Sequence, residues 1–198
     1  MAQRLGPFAL EGTYVRLEPL RRSHAVPLYE AARRMNWGWM LGPLRTRGDV
    51  DARIAKGLRG ERLDEEYAFA VVLRDGPKVI GSTAYLGVAT KHRRAEIGST
   101  WYVPEHWGTV VNPECKYLLL KHAFEDWGAA RVQLATDARN LHSQGAILKL
   151  GAKYEGRLRN YGVLPDGTLR DTMLYSIVEG EWPAVKRSLI ARIRSFGT

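Results

Sequence analysis

Asn140 and Ser143, an amide and a hydroxyl three residues apart, stand where a strand-like run turns directly into a helix-like one. Val132, Leu134 and Thr136 alternate with Gln133, Ala135 and Asp137, the period of a strand with one covered face. Beyond Asn140, the apolar residues Leu141, Ala146, Ile147 and Leu150 predict a helix. Gly151 ends it, because glycine takes the left-handed geometry past a helix terminus without steric cost. Ligands of α/β folds bind beyond the carboxyl ends of strands, so these two side chains are placed to hold one. The alternative is architectural: Asn140 caps the helix and Ser143 is a solvated hydroxyl.

A second unit of the same kind lies upstream. Ala95 to Val103 is rich in β-branched and aromatic residues and stops at Pro104, which cannot donate to a ladder. A turn containing Gly108 follows, and then a helix expected from about Pro113 to Trp127, with Glu114 in its first turn. The unpaired N–H groups of such a turn and the positive end of the helix dipole favour an anion, and a pyrophosphate is the natural occupant. Cys115 falls in that turn, where a thiol is activated, although a free cysteine is more commonly a small buried hydrophobe. The five histidines show neither i,i+4 pairing nor accompanying cysteines, so no metal site is expected. His106 and His142 flank the two units and read as solvent-facing. Neither a Walker A nor a Rossmann fingerprint is present, which argues against a nucleoside triphosphate or nicotinamide site.

The elements that must position these groups run continuously along one chain of 198 residues, a length suited to a single domain with a substantial core. Residues 1 to 20 read as a first strand. Arg22 to Met35 reads as a helix capped by Ser23, broken at Asn36-Trp37-Gly38-Trp39-Met40. Thr46 or Asp49 caps a second helix reaching about Leu58. Strands are expected at Tyr67 to Arg74 and Lys78 to Val88, joined by the turn Asp75-Gly76-Pro77. Lys153 to Leu164 and Leu169 to Val178 form a hairpin whose edge can pair two subunits, and a helix from Glu181-Trp182 to Ile193 closes the chain.

In order and spacing these pieces resemble the GNAT family of acyl-CoA-dependent N-acyltransferases, and within it the RimJ/RimL-like branch. The resemblance covers nearly the whole chain. It is carried by Gly12-Thr13-Tyr14-Val15-Arg16-Leu17-Glu18-Pro19-Leu20, Ala68-Phe69-Ala70-Val71-Val72, Val79-Ile80-Gly81-Ser82-Thr83, Ala95-Glu96-Ile97-Gly98, Asn140-x-x-Ser143, and Gly167 through Ile177. It implies an α/β (α+β) fold with a central mixed, mostly antiparallel sheet flanked by helices. It also implies acetyl-CoA as co-substrate, with no metal. On this resemblance Thr100, Trp101 and Tyr102 hold the pantetheine arm through their backbone. Gly108, Thr109, Val110, Val111, Asn112 and Pro113 cradle the pyrophosphate, and Asn140 bonds the pantetheine amide. Ser143 is the general acid or orients a water, and Glu96 is the candidate base that takes the amine proton through water, its alternative being a surface pair with a nearby arginine. Trp37, Trp39 and Met40 line the acceptor pocket or seal the core. The chain departs from the family at the pyrophosphate loop, where Trp107, Val110 and Asn112 occupy the positions usually held by Gln or Arg, Gly, and Gly or Ala. It departs again at Ile147, where many relatives carry tyrosine.

A net charge of +9 is spread broadly over arginines and lysines, giving general attraction for polyanions such as CoA or RNA but no localised stripe with stacking aromatics. No apolar run is long enough to span a membrane, and the opening residues lack the apolar region of a signal peptide. A cytoplasmic N-acetyltransferase acting on a protein N-terminus or a small amine is therefore expected. A CoA-binding protein without transferase activity and an RNA- or ribosome-associated basic protein are the alternatives.

Overall fold

A computed structural model describes residues 5–197. Among them, eight strands form one sheet in the order β1-β2-β3-β4-β5-β6-β8-β7. The strands are β1 (Leu10–Glu11), β2 (Val15–Pro19), β3 (Tyr67–Leu73), β4 (Val79–Ala89), β5 (Arg94–Tyr102), β6 (Arg131–Asp137), β7 (Lys153–Val163) and β8 (Leu169–Val178). Every neighbouring pair is antiparallel except β5 with β6. The α/β architecture expected from the sequence is the one observed. Strand β3 is apolar along its length and buried on both faces. Its Ala68 packs against the helix α2 (Arg47–Arg62), where a side chain at Gly57 would meet it. The next residue, Phe69, stacks edge-on with Tyr85, whose hydroxyl donates to Leu119 O on the helix α3 (Val111–Lys121). Alternation along one strand thus puts α2 and α3 on opposite faces of the sheet.

Several boundaries differ from the sequence expectations, α2 running on to Arg62 among them, and three have a clear local reason. The opening strand is two strands, β1 and β2, folded over at Gly12, while residues 1–4 lie outside the described residues. The first helix, α1 (Ala25–Ala32), starts after a short 3-10 turn at Arg22–His24 and is not capped by Ser23. Instead Arg21 N donates to His24 Nδ1 at 3.0 Å. A helix begun at Arg22 would put Pro27 in its interior, where it lacks the needed N–H; starting at Ala25 leaves it in the first turn. Helix α3 likewise begins two residues before Pro113 and passes into a π-helical turn at His122–Asp126. Helix α2 is capped by Thr46, whose Oγ1 accepts from Asp49 N while Asp49 Oδ2 accepts from Thr46 N. Helices α4 (Leu141–Leu148) and α5 (Trp182–Arg194) complete the fold, with α5 against α3. No described helix is long and apolar enough to cross a membrane.

Candidate acyl-transfer site

The only parallel junction in the sheet is also the shortest for its strands. β5 and β6 pair from Arg94–Arg131 through Glu96–Gln133 and then part. Beyond that point β5 keeps β4 on its other edge, and β6 keeps β8 as far as Asp137–Thr172. An opening therefore runs between Ile97–Tyr102 and Leu134–Asp137, edged by backbone that no strand pairs. On the β5 side the register slips, so that Ser99 and Thr100 stand opposite Thr83 alone. Ser99 takes a left-handed φ of 49°, an uncommon conformation for a residue with a side chain.

The two strand-turn-helix units converge on this opening. After β5, a 3-10 turn at Pro104–His106 leads to Gly108, whose φ of 73° is the left-handed step of the loop. Val110, the residue in the place usually held by glycine, is right-handed helical (φ −62°, ψ −20°), so its side chain imposes no strain. Thr109 Oγ1 donates to His106 O at 2.9 Å and tightens the turn. In the first turn of α3, Glu114 N donates to Val110 O, and Pro113 has no N–H. On the other side, Asn140 follows β6 and caps α4, its Oδ1 accepting from Ser143 N at 3.0 Å. The architectural role of Asn140 is thus real, and its Nδ2 has no hydrogen-bond partner among the described residues. Trp107 and His142 bridge the two units with rings 6.3 Å apart, and Trp107 Nε1 donates to Tyr102 O.

Glu96 sits at the fork. It is not paired with an arginine as a surface residue would be; its Oε2 accepts from Gln133 Nε2 at 2.8 Å. Burial raises its pKa above the usual carboxylate range, opposed by that hydrogen bond and by the charges of Arg170 and Lys116. Two neighbours on α3 escape notice in the sequence. Lys116 is only 6% exposed, and its Nζ donates to Thr100 Oγ1 at 2.8 Å, which in turn lies 2.8 Å from Thr83 Oγ1. Glu114 is fully enclosed, its carboxylate accepting from Thr13 N, Tyr14 N and Val15 N at 2.7–2.8 Å. From sequence, Glu114 is only an acidic residue of the first helical turn and Lys116 is not singled out. The one signal is that apolar residues surround them almost all round the helix, at Val111, Cys115, Leu118, Leu119 and Leu120. Cys115 is wholly buried and its thiol is pushed up to about 12 by that burial, so it behaves as a small hydrophobe.

The acceptor-side residues separate. Trp37 is 5% exposed, donates from Nε1 to Ala32 O, and meets Trp101 edge-on at 5.2 Å. Trp39 is 42% exposed with the Arg139 guanidinium 5.4 Å above its ring, and Met40 is half-buried against the core. Among the described residues no group of His, Cys, Asp and Glu could hold a metal.

With this geometry in view, the acetyltransferase (GNAT) domain family matches residues 15–153. A curated relative, the uncharacterized N-acetyltransferase YoaA of Bacillus subtilis, is 37% identical over 106 residues, 54% of this chain and 59% of that protein. The chain thus aligns with less than two thirds of that relative's length. The crystal structure of a GCN5-related N-acetyltransferase from Brucella melitensis superposes with a TM-score of 0.86 at 28% identity, over 95% of this chain and 86% of that one. That of Mycobacterium smegmatis RimJ in complex with CoA-disulfide gives 0.78 at 22% identity, over 90% and 88%, a likeness of fold.

Proposed function

The chain belongs to the GNAT acetyltransferase family, and on that premise we propose that it is an N-acetyltransferase that transfers an acetyl group from acetyl-CoA directly to an amine. The carrying observation is the parting of β5 from β6 after Glu96–Gln133, with the start of α3 beside it. An opening between strands accepts an extended arm, and a helix N-terminus accepts the phosphates at its end. In this reading the backbone of Thr100, Trp101 and Tyr102 lines the arm, residues 108–113 cradle the pyrophosphate, and Asn140 Nδ2 donates to a pantetheine carbonyl.

Glu96 takes a proton from the acceptor amine, directly or through water. The neutral amine nitrogen then attacks the thioester carbonyl, the C–S bond breaks as the C–N bond forms, Ser143 supplies a proton to the departing sulfur, and the surplus proton of the new amide nitrogen returns to Ser143, directly or through water. Burial suits Glu96 to this task, because a carboxylate with a raised pKa is a stronger base. The acceptor we favour is a protein N-terminus, which fits the RimJ/RimL-like order of motifs along the chain, with Trp39, Met40 and Arg139 at its entry. A small amine is the second class. The whole chain acts as one cytoplasmic acyltransferase domain in this account. Thiol release from acetyl-CoA, measured across peptide N-termini and small amines, tests it: saturable release with at least one amine is expected, and none with any amine in the presence of bound CoA would leave a CoA-binding protein.

A further inference from the structure

Lys116 carries a charge that the fold does not need. Its ammonium is enclosed on α3, and Thr100 Oγ1, a neutral hydroxyl, is its one hydrogen-bond partner among the described residues. No carboxylate lies within ion-pair distance of it among those residues. Glu114, two residues earlier, is committed to the β1–β2 turn, and Glu96 acts on Lys116 only as a more distant charge. A buried ammonium so poorly matched costs stability, and an apolar side chain of the same length would not. Thr100, the group it does hold, is the bulged residue at the opening, and Thr100 passes the contact on to Thr83 of β4.

Resting on the acyl-transfer reading above, we propose that Lys116 is a positioning residue of the transfer site, fixing the β5 bulge through Thr100 and setting a positive charge behind the place where the thioester oxygen gains negative charge. A charge fixed in a water-poor site stabilises such a transition state more than it would in solvent. The surrounding groups are Thr100 and Thr83 on the sheet, Glu96 farther along β5 as a more distant charge, and Cys115 on the same helix. Burial lowers the Lys116 pKa to about 8, offset in part by the charge of Glu96, so the positive form is lost as pH rises through that value.

The test compares the unaltered protein with Lys116→Met and Lys116→Arg, in the full chain, by thermal unfolding, by calorimetric titration with CoA and by kcat against pH. The expected result has four parts. Lys116→Met unfolds at an equal or higher temperature and binds CoA within about threefold of the unaltered protein, yet loses on the order of tenfold or more in kcat. The fall in kcat above pH 8 disappears in the Met variant and moves to higher pH in the Arg variant. A Met variant with unchanged kcat and the same alkaline limb would overturn the inference, and so would one whose unfolding temperature falls along with its activity. If the unaltered protein itself releases no thiol with any amine, the transferase reading fails first, and that result is distinct from either.

Discussion

Two charged residues on α3, separated by Cys115, have opposite surroundings. Glu114 is held by three backbone N–H groups of the β1–β2 turn, a full set of partners for a buried anion. Lys116 has a single neutral hydroxyl, and Glu96 at the fork has a single amide. Matched partners turn a buried charge into architecture. Unmatched ones leave it to act on something else, and burial then moves its pKa, upward for Glu96 and downward for Lys116. The difference separates, within two residues of one helix, a charge matched to the fold from one that the fold leaves unmatched.

Several substitutions would break or sharpen that contrast. The largest effect is expected from Glu114→Ala, which leaves three buried N–H groups without an acceptor; denaturant unfolding should show a loss of about 3 kcal/mol or more. Glu96→Gln should fold normally and lower kcat by roughly 100-fold, with the acid-side rise of rate with pH reduced, since the unaltered carboxylate gains activity as pH climbs through its raised pKa. Unchanged kcat across pH would remove the base role. Gly12→Ala places a new Cβ 2.6 Å from Glu114 Cδ, and a destabilisation of about 1–3 kcal/mol by thermal unfolding would show that the carboxylate cannot retreat. Asn140→Ala removes the cap on Ser143 N and should cost about 1 kcal/mol while weakening CoA binding. The smallest change is expected from Ser143→Ala, under about tenfold in kcat, because positioning of the two substrates supplies much of the acceleration.

Lys116 also sharpens the contrast through pH and stability. Its folded pKa lies below the unfolded value, so the unfolded chain binds more protons between about pH 8 and 10.5 and stability should rise with pH across that window. The cost of the buried charge is fully present below about 8. Any stability advantage of Lys116→Met should therefore be greatest near neutral pH and shrink as pH rises.

Strands β3, β4, β6 and β8 were legible because each alternates or is largely apolar, and β5 by its β-branched and aromatic residues; β7, mostly exposed and broken by two register shifts, was marked by the Pro165-Asp166-Gly167 turn that follows it. The hairpin of β1 and β2 was not, since what folds it over is Glu114, about a hundred residues away in the chain. Proline marked the helices but not their starts, because the first turn tolerates it at several positions. The end of β6 and the helix after it marked Asn140 and Ser143 by local pattern, whereas Glu96 was marked only by the family resemblance. Lys116 stayed hidden because its burial depends on a bulge in β5, and a bulge has no simple sequence mark. Trp37 and Trp39 show the same limit. They differ by two positions, yet one is enclosed against Trp101 and the other lies open under Arg139. Val110 departs from the family's glycine without strain, because the left-handed step falls on Gly108.

The central claim, that the fork between β5 and β6 and the first turn of α3 form one site for a phosphorylated thioester, is tested most directly by a crystal structure of the full chain with CoA. The account predicts the pantetheine arm between Thr100–Tyr102 and Asn140, with pyrophosphate oxygens within hydrogen-bond distance of backbone amides among residues 108–112. CoA bound elsewhere, or a loop at Gly108–Asn112 that turns its amides away from the phosphates, would contradict it.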